Sequence, residues 1–234
     1  MIKAVIFDMF ETLVTLCGND FYSSEKMAQD ARIPVKEFQN IWWQSEYDRS
    51  CGRMTTEEGI IETLKTLGTF SEELAELINR KRSKTKQVVF EEKNLHPGII
   101  PMMNAIKEQG LKLAVISNCY SEEAEAIRDS ILFPYIDVPV LSFEQNCCKP
   151  ERIIYEICLE KLQLEANECL YVGDGGSQEL EMAKEVGMHP LQAAWYLKEG
   201  TAQPCGRKAD FEQAEDPMEV LEYINTSHEK ERKK

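Results

Sequence analysis

Histidine is scarce in this chain, with three in 234 residues, and His96, His189 and His228 stand far apart. The eight cysteines contain no Cys-x-x-Cys pair, and Cys147 and Cys148 are adjacent, a spacing that disfavours zinc. No apolar run approaches the roughly 20 residues that a membrane-spanning helix needs. With 12 glycines, 9 prolines and no low-complexity tract, fibrous and disordered classes are excluded. Positive charge is also in short supply: 27 Lys and Arg face 41 Asp and Glu, for a net charge of −14. A field of that sign repels nucleic acid and anionic membrane, so neither is expected as a partner. It repels small anions as well, so a site for one requires a local cation.

What remains is an ordinary globular composition, 43% hydrophobic and 29% charged. The length suits one domain with an insertion, or two small lobes. Met1 to Phe7 has the character of a strand, not of a secretion signal, and the chain is far longer than small disulfide scaffolds. Reduced thiols and a cytoplasmic location are therefore expected, with the protein a monomer or homodimer.

Ile2 to Phe7 is a short, nearly continuous apolar run, the pattern of a strand buried on both faces. From about Asp20 to Gln87 the signal is helical. Val35, Phe38, Ile41 and Trp42 recur at helical spacing, Thr55-x-x-Glu58 is a capping-box pattern, Gly68 is a stop, and Ser71 can cap the next helix. About four helices and no strand are expected there. After Leu95 the texture alternates. Strands are expected at Leu111–Ile116, Val138–Leu141, Cys169–Val172 and Pro190–Trp195. Helices are expected after Pro97 and over Ser121–Ser130, Pro150–Leu164, Ser177–Val186 and Asp216–Ile224, with a frayed tail from His228 to Lys234. This alternation implies an α/β fold with a doubly wound parallel sheet, to which the first strand belongs. The helical stretch is then an insertion. The expected division is a discontinuous α/β core, residues 1–16 plus 91–234, and a helical domain, residues 17–90.

In open α/β sheets, ligands bind outside the carboxyl ends of the strands. Asp8 follows the first strand, within Phe7-Asp8-Met9-Phe10-Glu11-Thr12-Leu13. Ser117 and Asn118 follow the strand ending at Ile116, Lys149-Pro150 comes after Val138–Leu141, and Gly173-Asp174-Gly175-Gly176-Ser177-Gln178-Glu179 follows Val172. Each feature alone has a plain reading as a turn, a cap or a helix start. Their succession at four strand ends puts two carboxylates, a hydroxyl and an ammonium on one rim. Trp42, Trp43 and Tyr47 could face a pocket, although aromatics at helical spacing are more commonly core.

These four motifs, in this order, resemble the haloacid dehalogenase-like hydrolase superfamily, in the subgroup with a helical cap inserted between the first and second motifs. The resemblance spans Met1 to about Ile224. It implies a carboxylate nucleophile, Asp8, that attacks phosphorus or carbon and forms a covalent intermediate that water hydrolyses. It implies Mg²⁺ held by Asp8, by the backbone carbonyl of Phe10 and by Asp174. Hard oxygen ligands suit that ion. Thr12, Ser117 and Asn118 would contact the substrate, Lys149 would neutralise charge at Asp8, and Glu179 would act from outside the metal's ligand shell. The substrate implied is a small phosphorylated metabolite.

The chain departs from the phosphatase pattern at one position. Phosphatases of the superfamily usually carry Asp-x-Asp, whose second Asp protonates the leaving group. Here the sequence is Asp8-Met9-Phe10. Loss of a general acid typically costs about 10²–10⁴ in rate. Glu11 could substitute only by turning back toward the site, and an exposed loop acid is its plainer reading. An aromatic at the Phe10 position, with Tyr155 six residues after Lys149, also fits 2-haloacid dehalogenases, which need neither the acid nor the metal. Those enzymes use a cap Arg near a Trp–Glu–Tyr stretch and replace the fourth-motif Asp. Here the stretch Ile41-Trp42-Trp43-Gln44-Ser45-Glu46-Tyr47 has no Arg before Asp48-Arg49, and Asp174 is retained. The metal-dependent phosphatase is favoured on that ground. A catalytically weakened member kept for binding is the third reading.

Overall fold

A computed structural model describes residues 1–16, 21–197 and 206–232, with side chains described as far as residue 228. The start of the helical stretch at Asp20, and the expected boundary at residue 17, lie outside the described residues.

The chain begins with strand β1 (Ala4–Phe7) and then runs through helices α1 (Ser24–Ala31), α2 (Val35–Trp42), α3 (Glu46–Ser50), α4 (Thr56–Thr66) and α5 (Glu72–Val88). Next come α6 (Ile99–Glu108), β2 (Lys112–Ser117), α7 (Ser121–Arg128), β3 (Val138–Leu141), α8 (Ser142–Gln145) and α9 (Arg152–Leu162). The fold closes with β4 (Cys169–Gly173), α10 (Glu179–Val186), β5 (His189–Ala193), β6 (Glu212–Ala214) and α11 (Glu219–Arg232). The six strands form one parallel sheet in the order β3-β2-β1-β4-β5-β6. β1 is therefore central, and the direction of winding changes beside it, which brings the loops after β1, β2 and β4 to one crevice.

Strand alternation builds two cores from one sheet. Val5, Phe7, Leu113, Val115, Leu170 and Val172 face the side covered by α6, α7 and α11. Ala4, Ile6, Ala114, Ile116, Cys169 and Tyr171 face the side covered by α9 and α10. The helical segment has its own core of Met27, Phe38, Trp42, Ile60, Leu64 and Ile78. Its α4 starts in the expected capping box: the Glu58 N–H donates to Thr55 Oγ1 (3.1 Å), and the Thr55 N–H donates to Glu58 Oε2 (2.7 Å). Ser71 caps α5 by accepting the Leu74 N–H at 3.2 Å.

Several expectations need correction. Residues 24–88 hold five α-helices, because α3 is only five residues long and too short to show apolar periodicity. α8 stands between β3 and Lys149, and the edge strand β6 has a charged sequence that hid it. The last helix does not stop at Ile224 but continues to Arg232, and an imidazole nitrogen of His228, Nε2, lies 3.0 Å from the Ile2 carbonyl and ties that turn to the sheet. The six cysteines among the described residues are all buried and unbridged. Among the described residues, no helix is long and apolar enough to cross a membrane.

Candidate active site

Asp8 stands one residue beyond β1, where its N–H donates to the Val172 carbonyl at 2.8 Å and extends the β1–β4 ladder. The chain then turns back, with the N–H groups of Leu13 and Val14 both donating to the Met9 carbonyl (2.9 and 3.0 Å). Asp8 Oδ1 accepts the Met9 N–H at 2.7 Å and lies 2.5 Å from Lys149 Nζ, with both side chains buried.

Lys149 comes from the segment after α8 and is held by Asn118. The Lys149 N–H donates to Asn118 Oδ1 (2.7 Å), while Asn118 Nδ2 donates to the Lys149 carbonyl (2.9 Å). Both ends of the Asn118 amide are thus taken up by main chain. The sequence reading put Asn118 against substrate; in the structure both ends of its amide bond the main chain of Lys149.

The loop after β4 is organised by Glu179, which is fully buried. Glu179 Oε1 accepts the Gly175 N–H (2.5 Å) and Oε2 accepts the Ser177 N–H (2.7 Å). A Cβ at Gly173 would stand 2.9 Å from Glu179 Oε1, so glycine is what lets this carboxylate enter. Asp174 Oδ1 accepts the Gly176 N–H at 3.0 Å, and the Asp174 carbonyl accepts from Gln192 Nε2 at 2.8 Å. The fully buried Gln192 was missed in the sequence, although an amide inside the apolar run Leu191–Ala194 was the available signal.

Carboxylate oxygens of Asp8, Asp174 and Glu179 all lie within 4.8 Å of one another. Burial pushes Asp174 up to about 8, reinforced by the charges of Asp8 and Glu179. Burial likewise raises Asp8 to about 6, with Lys149 opposing and Glu179 adding to the rise. Among the described residues, three buried carboxylates face one ammonium, a site short of positive charge, and an all-oxygen donor set fits a hard divalent cation. Asp8 and Asp174 are the residues that would hold it, with Phe10 able to add only its main-chain carbonyl.

Thr12 is fully buried, and its Oγ1 has no hydrogen-bond partner, an orphaned hydroxyl in the turn that follows Asp8. Its carbonyl accepts from Trp195 Nε1 at 2.8 Å, which fixes the first loop. Ser117 is also fully buried and donates at 3.3 Å to the Asn118 carbonyl.

The Phe10 ring packs edge-on against Phe90, with centroids 6.5 Å apart, and lies 5.4 Å from Lys86 Nζ. Glu11 is buried, not an exposed loop acid as expected. Its backbone has φ of +56°, and its side chain accepts from the Thr15 hydroxyl and the Leu16 N–H, both at 2.7 Å. Those bonds tie the turn together. Trp42 is core of the helical segment, whereas Trp43 and Tyr47 are exposed.

A family model of haloacid dehalogenase-like hydrolases matches residues 2–187. The chain is 25% identical to a phosphorylated carbohydrates phosphatase of Thermotoga maritima, over 95% of this chain and 99% of that one. It is 32% identical over 87 residues to the rhythmically expressed gene 2 protein of Drosophila melanogaster, a match spanning only 36% of this chain and 34% of that protein. Among solved structures, a 2-haloacid dehalogenase of Pseudomonas syringae superposes with a TM-score of 0.69 at 19% identity, covering 97% of this chain and 99% of that one. A HAD phosphatase of Thermococcus onnurineus gives 0.64 at 19% identity, covering 95% and 98%. At such identities these likenesses speak for the fold alone. With its parallel sheet, its rim of Asp8, Ser117, Lys149 and Asp174, and a family match over most of its length, the chain belongs to the haloacid dehalogenase-like hydrolases.

Proposed function

We propose that this hydrolase is a Mg²⁺-dependent phosphatase of small phosphate monoesters, with residues 24–88 acting as a cap over the site. The observation that carries the reading is Asp174, a buried carboxylate packed against two others, with Lys149 the ammonium that reaches them among the described residues. Beyond its bond from the Gly176 N–H, such an acid has little use in a site without a cation. Bound at Asp8 and Asp174, Mg²⁺ would supply the positive charge that lets a carboxylate approach a phosphate dianion.

The chain's own residues account for the rest. Asp8 Oδ1 is held by Lys149 and the Met9 amide. Oδ2 is then the atom that attacks phosphorus as the ester P–O bond breaks. Lys149 offsets the charge gathering on the transferring group. Thr12 Oγ1 and Ser117 Oγ donate to phosphoryl oxygens. The leaving alkoxide takes its proton from water, because Phe10 has none to give. Water then hydrolyses the aspartyl phosphate and releases inorganic phosphate.

A 2-haloacid dehalogenase is the second reading, favoured by Phe10, with Asp8 attacking carbon and halide leaving. Release of phosphate from an activated aryl phosphate, with Mg²⁺ or EDTA, separates the two when wild type is compared with Asp8→Asn. Activity requiring both Mg²⁺ and Asp8 is expected. Halide release from 2-haloacids with no phosphate release would overturn the phosphatase in favour of the second reading, and neither product would leave a binding protein.

A further inference from the structure

A second cluster of metal-ligand atoms includes Cys148, the residue before Lys149. Cys51, at the end of α3, places its Sγ 3.5 Å from Cys148 Sγ, although the two residues are 97 positions apart. Glu151 Oε1 stands 3.5 Å from Cys148 Sγ, and all three ligand atoms lie within 4.8 Å of one another. With Zn–S near 2.3 Å and Zn–O near 2.0–2.2 Å, a tetrahedron has an S···S edge of about 3.8 Å and an S···O edge of about 3.5 Å. The Cys51–Cys148 and Cys148–Glu151 separations are those edges to within a few tenths of an ångström.

The surroundings hold the three ligands in place. Glu151 Oε1 accepts the Cys148 N–H at 3.0 Å and the Tyr47 hydroxyl at 3.1 Å, which orients its carboxylate. Ser142 Oγ donates to the Ser50 carbonyl at 2.7 Å, and Arg53 Nε donates to Asn146 Oδ1 at 3.2 Å. At Gly52, with φ of +71°, an added Cβ would come within 1.8 Å of the Phe143 carbonyl oxygen. The end of α3 is thus pressed against residues 142–148 by contacts that only glycine allows, and Cys51 is delivered to Cys148 as part of that junction. Cys51 and Cys148 are both buried, so the thiol pair is enclosed.

We infer that Cys51, Cys148 and Glu151 form a site for a thiophilic divalent cation such as Zn²⁺, bridging the helical segment to the loop that carries Lys149. Two thiolates and one carboxylate are a zinc-type donor set, chemically distinct from the all-oxygen cluster at Asp8, and they leave a fourth position open. Binding releases the two thiol protons to solvent. The site stands independently of the proposed hydrolysis; only its expected effect, slower turnover when the segment is tethered beside Lys149, rests on that reading.

The test is titration of the reduced, full-length protein with Co²⁺, followed by alkylation and peptide mass spectrometry. One equivalent should bind with a thiolate-to-cobalt charge-transfer band, and the bound ion should protect Cys51 and Cys148 from alkylation. The band should vanish in Cys51→Ser and Cys148→Ser, persist in Cys158→Ser, and persist in Asp8→Asn whether or not that protein hydrolyses anything. Glu151→Gln should weaken binding by about tenfold or more. Protection read on wild type needs no variant, so a misfolding mutant cannot hide the answer. Absence of the band in reduced wild type would overturn the inference, as would a band that survives Cys51→Ser. A Cys51–Cys148 cross-linked peptide on mild oxidation, with no cobalt bound to the reduced form, would make the pair a redox couple instead.

Discussion

Arg82 of α5 forks onto one oxygen of Glu122 in α7, with Nε at 2.9 Å and Nη2 at 2.7 Å from Oε1, and both side chains are buried. Beside them Lys86 pairs with Glu123, and the Thr56 hydroxyl donates to the second oxygen of Glu122. Four buried charges thus join the helical segment to the sheet domain.

Breaking one half of such a pair strands the other. Arg82→Met should destabilise by about 3–5 kcal/mol in urea denaturation, while Arg82→Met with Glu122→Met should recover most of that loss. The pH dependence has a definite sign. Burial opposes ionisation of Glu122, but Arg82 and the Thr56 hydroxyl overcome it and hold the carboxyl below its usual 4.5. Its contribution is therefore present above that pH and lost as pH falls through the depressed value. The stability advantage of wild type over Glu122→Gln should shrink steadily below about pH 4.5.

Thr12 separates function from stability. Its buried hydroxyl has no partner, so Thr12→Val removes an unsatisfied donor worth about 1–3 kcal/mol of desolvation. The variant should be as stable as wild type or more so in thermal melts, while phosphate release falls at least about tenfold with the lost phosphoryl contact.

Asp174→Asn should behave similarly for a different reason. Above about pH 8, where Asp174 is ionised, making one of three crowded carboxylates neutral should stabilise the protein in EDTA by about 0.5–2 kcal/mol. Mg²⁺ at a hundred times its dissociation constant should stabilise wild type by about 2.7 kcal/mol and leave the variant unmoved. A variant that still responds to Mg²⁺ would remove Asp174 from the metal site.

Phe10 bears on the leaving group. With no acid to protonate it, turnover of aryl phosphates should fall steeply as leaving-group pKa rises. A flat dependence across the series would mean that another group donates the proton, and Glu11 would have to leave Thr15 and Leu16 to do so.

The sheet was legible because buried parallel strands are apolar throughout, and Ile2 to Phe7 could be little else. Asp8, Lys149 and Asp174 were legible because a doubly wound sheet collects its strand ends at one crevice, so positions along the chain translate into positions in space. Expectations failed where that translation is not linear. Cys51 meets Cys148 across 97 residues, and Glu11 looks exposed until the turn folds its side chain back onto Leu16. The short α3 and the charged β6 carry too little apolar pattern to announce themselves. Residue type could not say that the Asn118 amide bonds the Lys149 main chain at both ends.

The turn that carries Asp8 is anchored at several points that have nothing to do with a substrate: Glu11 to Thr15 and Leu16, Trp195 to the Thr12 carbonyl, and Leu13 and Val14 to Met9. Under the proposed reaction, a substrate arriving there would meet a turn already held in place. Binding strength can then go into the reaction itself, because no disordered peptide has to be frozen first.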